Sequence, residues 1–412
     1  MRVAFLPGTF RPDRCGVSHY TERLMAELAL CGVQCVVVTT AAAARFHQRP
    51  EIVGATADWG PAMLLALPAV LRRLDPDILH IQHAAGSFGF RRPVFWLPPT
   101  LRLFGWRRPI AVTLHEYGWW DWQPRILGRL WRSLGPWGEA KGLWDREDFA
   151  LLTGADAIIV THDAAARVLA SRLPQARSRT MEVPIGPNIP VTATDVPAAR
   201  AALRRRYDWE PDAPVVCYFG FVHPVKGLET LVRAFRQVLA VQPRARLVLA
   251  GGLESLALHG AQARRYHDKL QALIDELGLG STVRLTGYLS QEAISQHLAG
   301  ADLGVLPFNE GVTLKSGSLL AMWAHGLPTI ATRPPLSPPQ LEWAAWLVPG
   351  RNDEALARGL LRLLDDGQTR RELAQRAREA GRQFAWSAIA ERHLAVYRQL
   401  LASGQPLALA ES

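Results

Sequence analysis

Residues 303–328 read LGVLPFNEGVTLKSGSLLAMWAHGLP, and the fold of the second half of the chain follows from them. The pattern predicts a buried strand over Leu303–Phe308, a polar loop that carries Glu310, and a short helix that opens near Ser318. Gly326 stands where a helix C-cap glycine belongs, and a proline two residues later prevents continuation. Such a loop is a natural anion site, because backbone N–H groups at a helix N-terminus point at the ligand. A capped crossover without any ligand is the alternative.

A second strand–loop–helix segment lies at residues 215–228, which read VVCYFGFVHPVKGL. A strand over Val215–Phe219 is closed by Gly220, and Lys226 stands just before a helix predicted over Leu228–Ala240. A lysine there can pair with a diphosphate as a point charge, whereas an isolated surface lysine is usually only solvated. Because the two segments occupy equivalent positions in one predicted sheet, the sequence favours a shared anion site.

The first half of the chain alternates strands and helices in the same way. A continuous apolar strand at Val3–Leu6 is followed by a loop with Gly8 and Gly16, a helix over Val17–Leu30, and a strand at Val36–Val38. Continuous apolar strands predict a parallel sheet that is covered on both faces. Further strands are predicted at Ile78–Gln82, Ile110–His115, Ala157–Thr161, Met181–Ile185, Arg246–Ala250 and Val283–Thr286.

A chain of 412 residues is too long for one ordinary hydrophobic core. A polar, Pro-rich break from Gly186 to about Pro197 separates two repeats of the pattern. We therefore predict domains at residues 1–190 and 197–385, with a closing helix at 387–402 that packs back on the first domain and a flexible tail at 403–412. Ligands in such folds bind in a cleft between the carboxyl ends of the two sheets.

Composition limits the class of protein. The net charge of +10 favours an anionic partner: nucleotide phosphates, an anionic membrane surface or nucleic acid. The aromatic residues cluster with aliphatic ones, and no RNA- or DNA-binding motif is recognised, so no nucleic-acid partner is expected. The longest apolar run, Met63–Leu71, falls short of the about 20 residues of a membrane span. With no signal peptide and four cysteines that form no disulfide framework, we expect a cytoplasmic protein, free or peripheral on the inner face of the membrane.

The second half resembles the retaining GT-B glycosyltransferases of family 4, the class called glycosyl transferases group 1. The resemblance covers nearly the whole chain, is most specific over Val215–Thr332, and extends to Phe384-Ala385-Trp386 and the closing helix. It implies an α/β protein of the GT-B class, with two Rossmann-like, doubly wound parallel-sheet domains facing a central cleft. It also implies a nucleotide diphosphate sugar as co-substrate, with no further cofactor and no metal.

The resemblance assigns roles to the two segments. Lys226 matches the lysine that contacts the donor diphosphate, and Glu310 matches the glutamate that faces the transferred sugar. The family's second glutamate, which holds the ribose, is Ser318 here, and its usual arginine after the strand glycine is Phe221. His223 and Lys315 are candidates to replace that missing cation. The expected donor-binding set is Gly16, Gly220, His223, Lys226, Glu310, Gly311, Lys315, Ser316 and Ser318.

The first domain would supply the acceptor side. His115 ends a predicted strand and resembles the family's active-site histidine, so His115 and Glu310 are the catalytic candidates; a capping or core histidine is the alternative. Gly16 matches one glycine of the family's Gly-rich first loop. His80 and His83 lie three apart in a predicted strand and so face opposite ways, which argues against a metal site between them.

Tryptophan is concentrated in one region, since eight of the 14 lie between Trp96 and Trp144. Residues 91–108 mix five arginines with aromatic and aliphatic residues, and Pro124 opens a predicted helix with one apolar face. This pattern is typical of an interfacial helix on anionic lipid, although a surface helix packed on the core is an alternative. The candidate membrane or acceptor contacts are Trp119, Trp120, Trp122 and Trp131.

These observations predict retaining transfer of a hexosyl group to an acceptor hydroxyl, in polysaccharide, glycolipid or related glycan synthesis. The acceptor would be a glycan or a lipid-linked molecule. A sugar-nucleotide epimerase on the same fold would need no acceptor, and a glycan phosphorylase would need a pyridoxal-phosphate lysine, for which there is no signal. A non-catalytic binding or scaffold protein is a further alternative, motivated by Phe221 and Ser318.

Overall fold

The computed structural model describes residues 1–11, 15–118, 128–253, 258 and 260–403. The chain forms two compact units. The first contains Met1–Ile185 and the segment from Trp386 onward, and the second contains Gly186–Ala385. The Pro-rich break therefore belongs to the second unit from its first residue, a few residues earlier than the sequence pattern places the boundary.

Parallel strands and covering helices alternate along both units. The strands are β1 (Arg2–Pro7), β2 (Gln34–Thr40), β3 (Ile52–Thr56), β4 (Ile78–His83), β5 (Ile110–Leu114), β6 (Ala157–Val160), β7 (Thr180–Glu182), β8 (Val215–Phe219), β9 (Arg246–Ala250), β10 (Val283–Leu285), β11 (Leu303–Leu306), β12 (Thr329–Thr332) and β13 (Trp346–Val348). The helices are α1 (Gly16–Leu30), α2 (Ala41–His47), α3 (Met63–Leu74), α4 (Leu97–Leu103), α5 (Gly128–Ala140), α6 (Ala150–Thr153), α7 (Asp163–Arg172), α8 (Val196–Arg206), α9 (Leu228–Val241), α10 (Gly260–Glu276), α11 (Gln291–Gly300), α12 (Gly317–Ala324), α13 (Pro339–Ala344), α14 (Asp353–Asp365), α15 (Gly367–Gly381) and α16 (Trp386–Ser403).

The sheet of the first unit has the order β3-β2-β1-β4-β5-β6-β7, with every neighbouring pair parallel. Its two faces carry separate cores, because successive side chains of a strand point to opposite faces. Leu6 of β1 packs in the core that contains Leu67 of α3. Phe5 packs in the other core, with Leu24 of α1 and Ile389 of α16. The closing helix thus covers the first sheet, as the sequence analysis expects.

The sheet of the second unit has the order β10-β9-β8-β11-β12-β13, also parallel throughout. Helix α9 shows why the sequence folds this way, because its apolar residues recur at helical spacing and end up fully buried. Each buried Leu, Val or Phe side chain among them contributes about 1.5–3 kcal/mol on burial. The buried positions of α9 are Leu228, Leu231, Val232, Ala234, Phe235 and Val238.

The strand order fixes where a ligand can bind. In the first sheet the winding direction reverses between β1 and β4, and in the second between β8 and β11. Open α/β sheets bind ligands at this point, beyond the carboxyl ends of the strands. In the second unit, Asp302 fastens the two central strands, because its Oδ2 accepts from the backbone N of Val215 at 2.7 Å and from Nη2 of Arg204 at 2.7 Å.

The predicted fold class is confirmed, and the element pattern holds with a few differences. Strands β3, β12 and β13 are additional to the predicted ones, because they are short and have little apolar periodicity. The strand predicted at Met181–Ile185 is wrong in its second half, since β7 ends at Glu182 and Pro184 has no N–H for the ladder. Pro307 ends β11 in the same way, before the predicted Phe308.

Candidate functional site

The loop after β8 presents the predicted lysine. Lys226 ends a short 3-10 turn, Pro224–Lys226, and its Nζ lies 3.6 Å from the centroid of the Phe308 ring. The side chain is half-buried, and this burial lowers the pKa of Lys226. A partly desolvated ammonium over an aromatic face attracts an anion more strongly than one in bulk water.

The loops after β8 and β11 are hydrogen-bonded to each other. The backbone N of Asn309 donates to the carbonyl of Val225 at 3.0 Å, and its side-chain Nδ2 donates to the carbonyl of Pro224 at 3.0 Å. Gly227 adopts φ 65°, and a Cβ there would collide with the carbonyl oxygen of Pro307. Only glycine combines that backbone conformation with that close approach. The strand-end loops predicted to share an anion site therefore do meet.

Glu310 and Gly311 follow directly on the second of these loops. The Glu310 side chain is 81% exposed, and its Oε1 accepts from Nη2 of Arg351 at 2.7 Å. Gly311 adopts φ 87° beside the backbone of Pro334. Arg351 is a partner that the sequence analysis missed, because it lies 41 residues further along the chain.

Helix α12 starts at the same edge of the sheet. Ser316 is its N-cap, and the Ser316 Oγ accepts from the backbone N of Leu319 at 3.3 Å. The Oγ of Ser318 lies 3.2 Å from where a Cβ on Gly220 would stand, so the first turn of α12 faces the end of β8. Lys315 is exposed in the loop before the helix. Ser316 thus has a capping role, and Ser318 is the serine placed beside the strand-end glycine.

His223, one of the two candidates to replace the missing cation, stands at the start of the 3-10 turn. Its Nδ1 accepts from the backbone N of Val225 at 3.2 Å and caps the 3-10 turn. Burial, and then the charge of Lys226, lower the pKa of His223 from its ordinary value. The Phe221 side chain is half-exposed at the position of the usual arginine. Lys315, the other candidate for that charge, is exposed.

In the first unit, His115 lies just beyond β5. Its Nε2 is 2.8 Å from Oε1 of Gln82, and its half-buried ring packs edge-on against Tyr20 at 4.8 Å between centroids. Tyr20 is one turn along α1 from Gly16, so the start of α1 and His115 are neighbours. Among the described residues, which leave out 12–14, none lies within 4 Å of where a Cβ on Gly16 would stand.

His80 and His83 point to opposite faces of β4, as predicted. The Nδ1 of His80 is 2.6 Å from the hydroxyl of Tyr397, whereas the Nε2 of His83 is 3.0 Å from Oδ1 of Asp148. Among the described residues, no group of three or more His, Cys, Asp or Glu side chains is arranged to hold a metal ion.

A buried acidic turn beside His83 was missed by the sequence analysis. The Tyr117 hydroxyl donates to Oδ1 of Asp145 at 2.6 Å, and the backbone N of Gly118 donates to Oε2 of Glu147 at 2.7 Å. Burial, and then the charge of Asp148, raise the pKa of Asp145 to about 6 and that of Glu147 to about 7. These bonds hold the segment that directly follows His115. Three acids within four residues look like a solvated surface in sequence, which is why the pattern gave no signal.

The tryptophan region is described in part. Trp119, Trp120 and Trp122 lie outside the described residues, and so does the side chain of Trp131. Helix α5 overlaps the helix predicted to open at Pro124 and continues to Ala140, and Trp137 on it is 53% exposed. Further exposed apolar side chains of this region are Phe90, Trp96, Leu103, Phe104, Leu134 and Leu143. In the described part of the chain, no helix has the length and hydropathy required to cross a membrane.

Comparison with known proteins agrees with this geometry. Residues 15–189 match the family described as Glycosyltransferase Family 4, and residues 199–380 match the family described as Glycosyl transferases group 1. The D-inositol 3-phosphate glycosyltransferase of Kineococcus radiotolerans is 27% identical, over 95% of this chain and 92% of that protein. The enzyme of the same name from Nocardia farcinica is 26% identical, over 96% and 86%.

Solved structures share the fold. A glycosyltransferase from Rickettsia africae superposes with a TM-score of 0.71 at 14% identity, covering 98% of this chain and 99% of that one. HepE of Anabaena, solved in complex with UDP-glucose, superposes with a TM-score of 0.62 at 18% identity, covering 96% and 98%. The two family matches together span most of the chain, and the paired parallel sheets agree with them. The chain therefore belongs to the glycosyltransferases of family 4, with a GT-B fold.

Proposed function

We propose that the chain transfers a hexosyl group from a nucleoside diphosphate sugar to an acceptor hydroxyl, with retention of anomeric configuration. The observation that carries the proposal is the meeting of the loops after β8 and β11 at the switch point of the second sheet. Lys226, Glu310 and the N-terminus of α12 converge there. Structural neighbours solved with UDP and with UDP-glucose support a donor of this class.

Each group at the site has a part in the proposed reaction. Negative charge develops on the diphosphate as it leaves, and in this proposal Lys226 and the backbone N–H groups at the start of α12 stabilise it. Glu310 accepts hydrogen bonds from hydroxyls of the transferred sugar, and these bonds replace the one from Arg351. Ser318 offers one hydroxyl to the ribose, a weaker bond than a carboxylate would make. No step of this scheme calls for a bound metal or cofactor, so activity in the presence of EDTA is expected.

The first unit supplies the acceptor side in this proposal. His115 contacts the sugar or the acceptor near the reacting centre. The relatives named D-inositol 3-phosphate glycosyltransferase make a phosphorylated polyol one acceptor class to test, beside glycans and lipid-linked sugars. A cytoplasmic location fits a soluble nucleotide-sugar donor.

A donor screen tests the proposal directly. We expect one of UDP, GDP or ADP, and its sugar, to raise the melting temperature of the protein, because a ligand at 100 times its dissociation constant stabilises the folded state by about 2.7 kcal/mol. With that donor, NMR of the product should show the donor's anomeric configuration at the new bond. The matching nucleoside without phosphates is the control.

Three outcomes would contradict the proposal. No stabilisation by any nucleotide argues against a donor site, and an inverted product argues against retention. Binding without transfer or slow donor hydrolysis would favour the non-catalytic alternative, which Phe221 and Ser318 motivate.

We further propose that the tryptophan-rich surface of the first unit docks on anionic lipid. Trp96, Leu103 and Trp137 expose 44%, 84% and 53% of their area, and Arg91 and Arg92, shortly before Trp96 in the chain, are exposed as well. Apolar side chains that enter the interface, next to cations that face anionic headgroups, are what interfacial binding requires.

Liposome flotation tests this surface. Trp137→Glu should weaken binding to anionic vesicles at least about tenfold. The variant would place a negative charge, instead of an aromatic ring, in the lipid interface. Trp343→Glu, which alters a 44%-exposed tryptophan of the second unit, is the matched control and should bind normally. Equal binding of both variants, or no binding of the unaltered protein, would exclude the proposed surface.

A further inference from the structure

A buried polar network lies behind His115, and no step of the proposed reaction uses it. Oε1 of Gln82 is 2.8 Å from Nε2 of His115, and Nε2 of Gln82 is 3.2 Å from Nε2 of His80. His80 continues the network to the hydroxyls of Thr113 at 2.7 Å and Tyr397 at 2.6 Å. All members except His115 are fully buried. The network therefore joins the catalytic candidate to the closing helix α16 within one unit.

The chemistry of the amide fixes the direction of these hydrogen bonds. A carboxamide oxygen can only accept and a carboxamide nitrogen can only donate. His115 therefore donates from Nε2 to Gln82, and His80 accepts at Nε2 from Gln82. Burial, and then the charges of His393 and His115, hold the pKa of His80 well below its ordinary value, so its ring is neutral. Its proton is then on Nδ1, which donates to Tyr397.

We propose that Gln82 is a positioning residue that holds His115 in the tautomer with the proton on Nε2. In the neutral ring this makes Nδ1 the acceptor nitrogen, suited to a hydroxyl of the sugar or of the acceptor. This inference rests on the role of His115 in the proposed function. Tyr20 packs against the same ring in a T-shaped arrangement, with 4.8 Å between centroids, and so limits its rotation.

Stability alone does not call for this arrangement. Leaving one member of a buried network unpaired costs about 1–3 kcal/mol, whereas apolar side chains of the same shape would fill the space without that risk. The side chains of the network come from neighbouring strands, because Gln82 of β4 is paired in register with Thr113 of β5. The network ends at His115, which is half-buried at the carboxyl edge of the sheet and is bonded to Gln82.

Gln82→Met and Thr113→Val are a matched pair for the test. Each replaces a fully buried partner of His80 by an apolar side chain of similar size, but only the first removes the bond to His115. In Gln82→Met we expect kcat to fall at least about tenfold, with the KM for the donor changed less than about twofold. In Thr113→Val we expect kcat within about threefold of that of the unaltered protein. The melting temperature should fall by a similar amount in both variants.

Nitrogen-15 NMR of histidine-labelled protein gives a readout that a merely structural role would not move. The His115 resonances, assigned by their absence in His115→Ala, should show protonated Nε2 in the unaltered protein and a mixture of tautomers in Gln82→Met. Gln82→Glu keeps an acceptor oxygen for His115, so it should keep the tautomer and lose less activity. Gln82→Glu also replaces Gln82→Met as the test variant if Gln82→Met does not fold.

The outcomes separate this inference from the proposed function. An unchanged tautomer in Gln82→Met, or equal losses of kcat in Gln82→Met and Thr113→Val, would overturn the positioning role. A changed tautomer with unchanged kcat would do so as well. Normal turnover in His115→Ala would instead remove His115 from the proposed reaction, whereas the NMR result for Gln82 would still stand.

Discussion

Replacing Lys226 by alanine is expected to lower kcat/KM at least tenfold, which corresponds to about 1.4 kcal/mol in the activation barrier. The lysine is half-buried against Phe308, so its charge acts through less water than an exposed one. The charge on the leaving diphosphate grows toward the transition state, and the loss should therefore appear mainly in kcat. Steady-state kinetics with the donor found in the screen measure it.

Lys269→Ala is the matched control for charge. Lys269 belongs to the same unit, but it is 70% exposed and pairs with Glu229 at 3.4 Å, so its loss should leave kcat/KM within about twofold. Lys226→Arg should recover only part of the activity, because a planar guanidinium does not replace a point charge at a fixed place. If Lys226→Ala and Lys269→Ala turn over at equal rates, Lys226 does not stabilise the diphosphate.

The sequence predicted the parts of this site that depend on chain order. Two apolar strands that each end at a polar loop must bring those loops to one edge of a parallel sheet, and the contact between Asn309 and Val225 agrees. Strand β8 and the start of α9 lie where the apolar pattern places them, because periodicity there reflects burial.

The sequence could not predict pairings that depend on register and burial. Arg351 meets Glu310, and Gln82 meets His115, across 41 and 33 residues of chain. Nothing local marks those partners. The pKa of His223 is lowered first by burial, which the sequence does not reveal, and then by Lys226, three residues further along the chain. The bond from Leu319 to Ser316 adds a capping role for this serine, and its expected donor contact stays a prediction.

Glu310→Gln is the second substitution with a large expected effect, again at least tenfold in kcat/KM. Glutamine keeps the shape but makes weaker hydrogen bonds to sugar hydroxyls than an ionised carboxylate does. The effect on stability should be small, within about 0.5 kcal/mol, because the ion pair with Arg351 is exposed on both sides. Kinetics and thermal unfolding of the same preparation separate the two quantities.

Glu342→Gln controls for the loss of an exposed ion pair, since Glu342 pairs with Arg333 in the same unit. It should leave both kcat/KM and stability nearly unchanged. Arg351→Ala distinguishes two uses of the Glu310 partner. If Arg351 only holds the carboxylate until the donor arrives, its removal should change kcat/KM by less than about threefold. If Arg351 also supplies the positive charge that Phe221 does not, Arg351→Ala should raise the KM for the donor. Normal turnover in Glu310→Gln would remove the carboxylate from the reaction and leave Lys226 and the start of α12 to hold the donor alone.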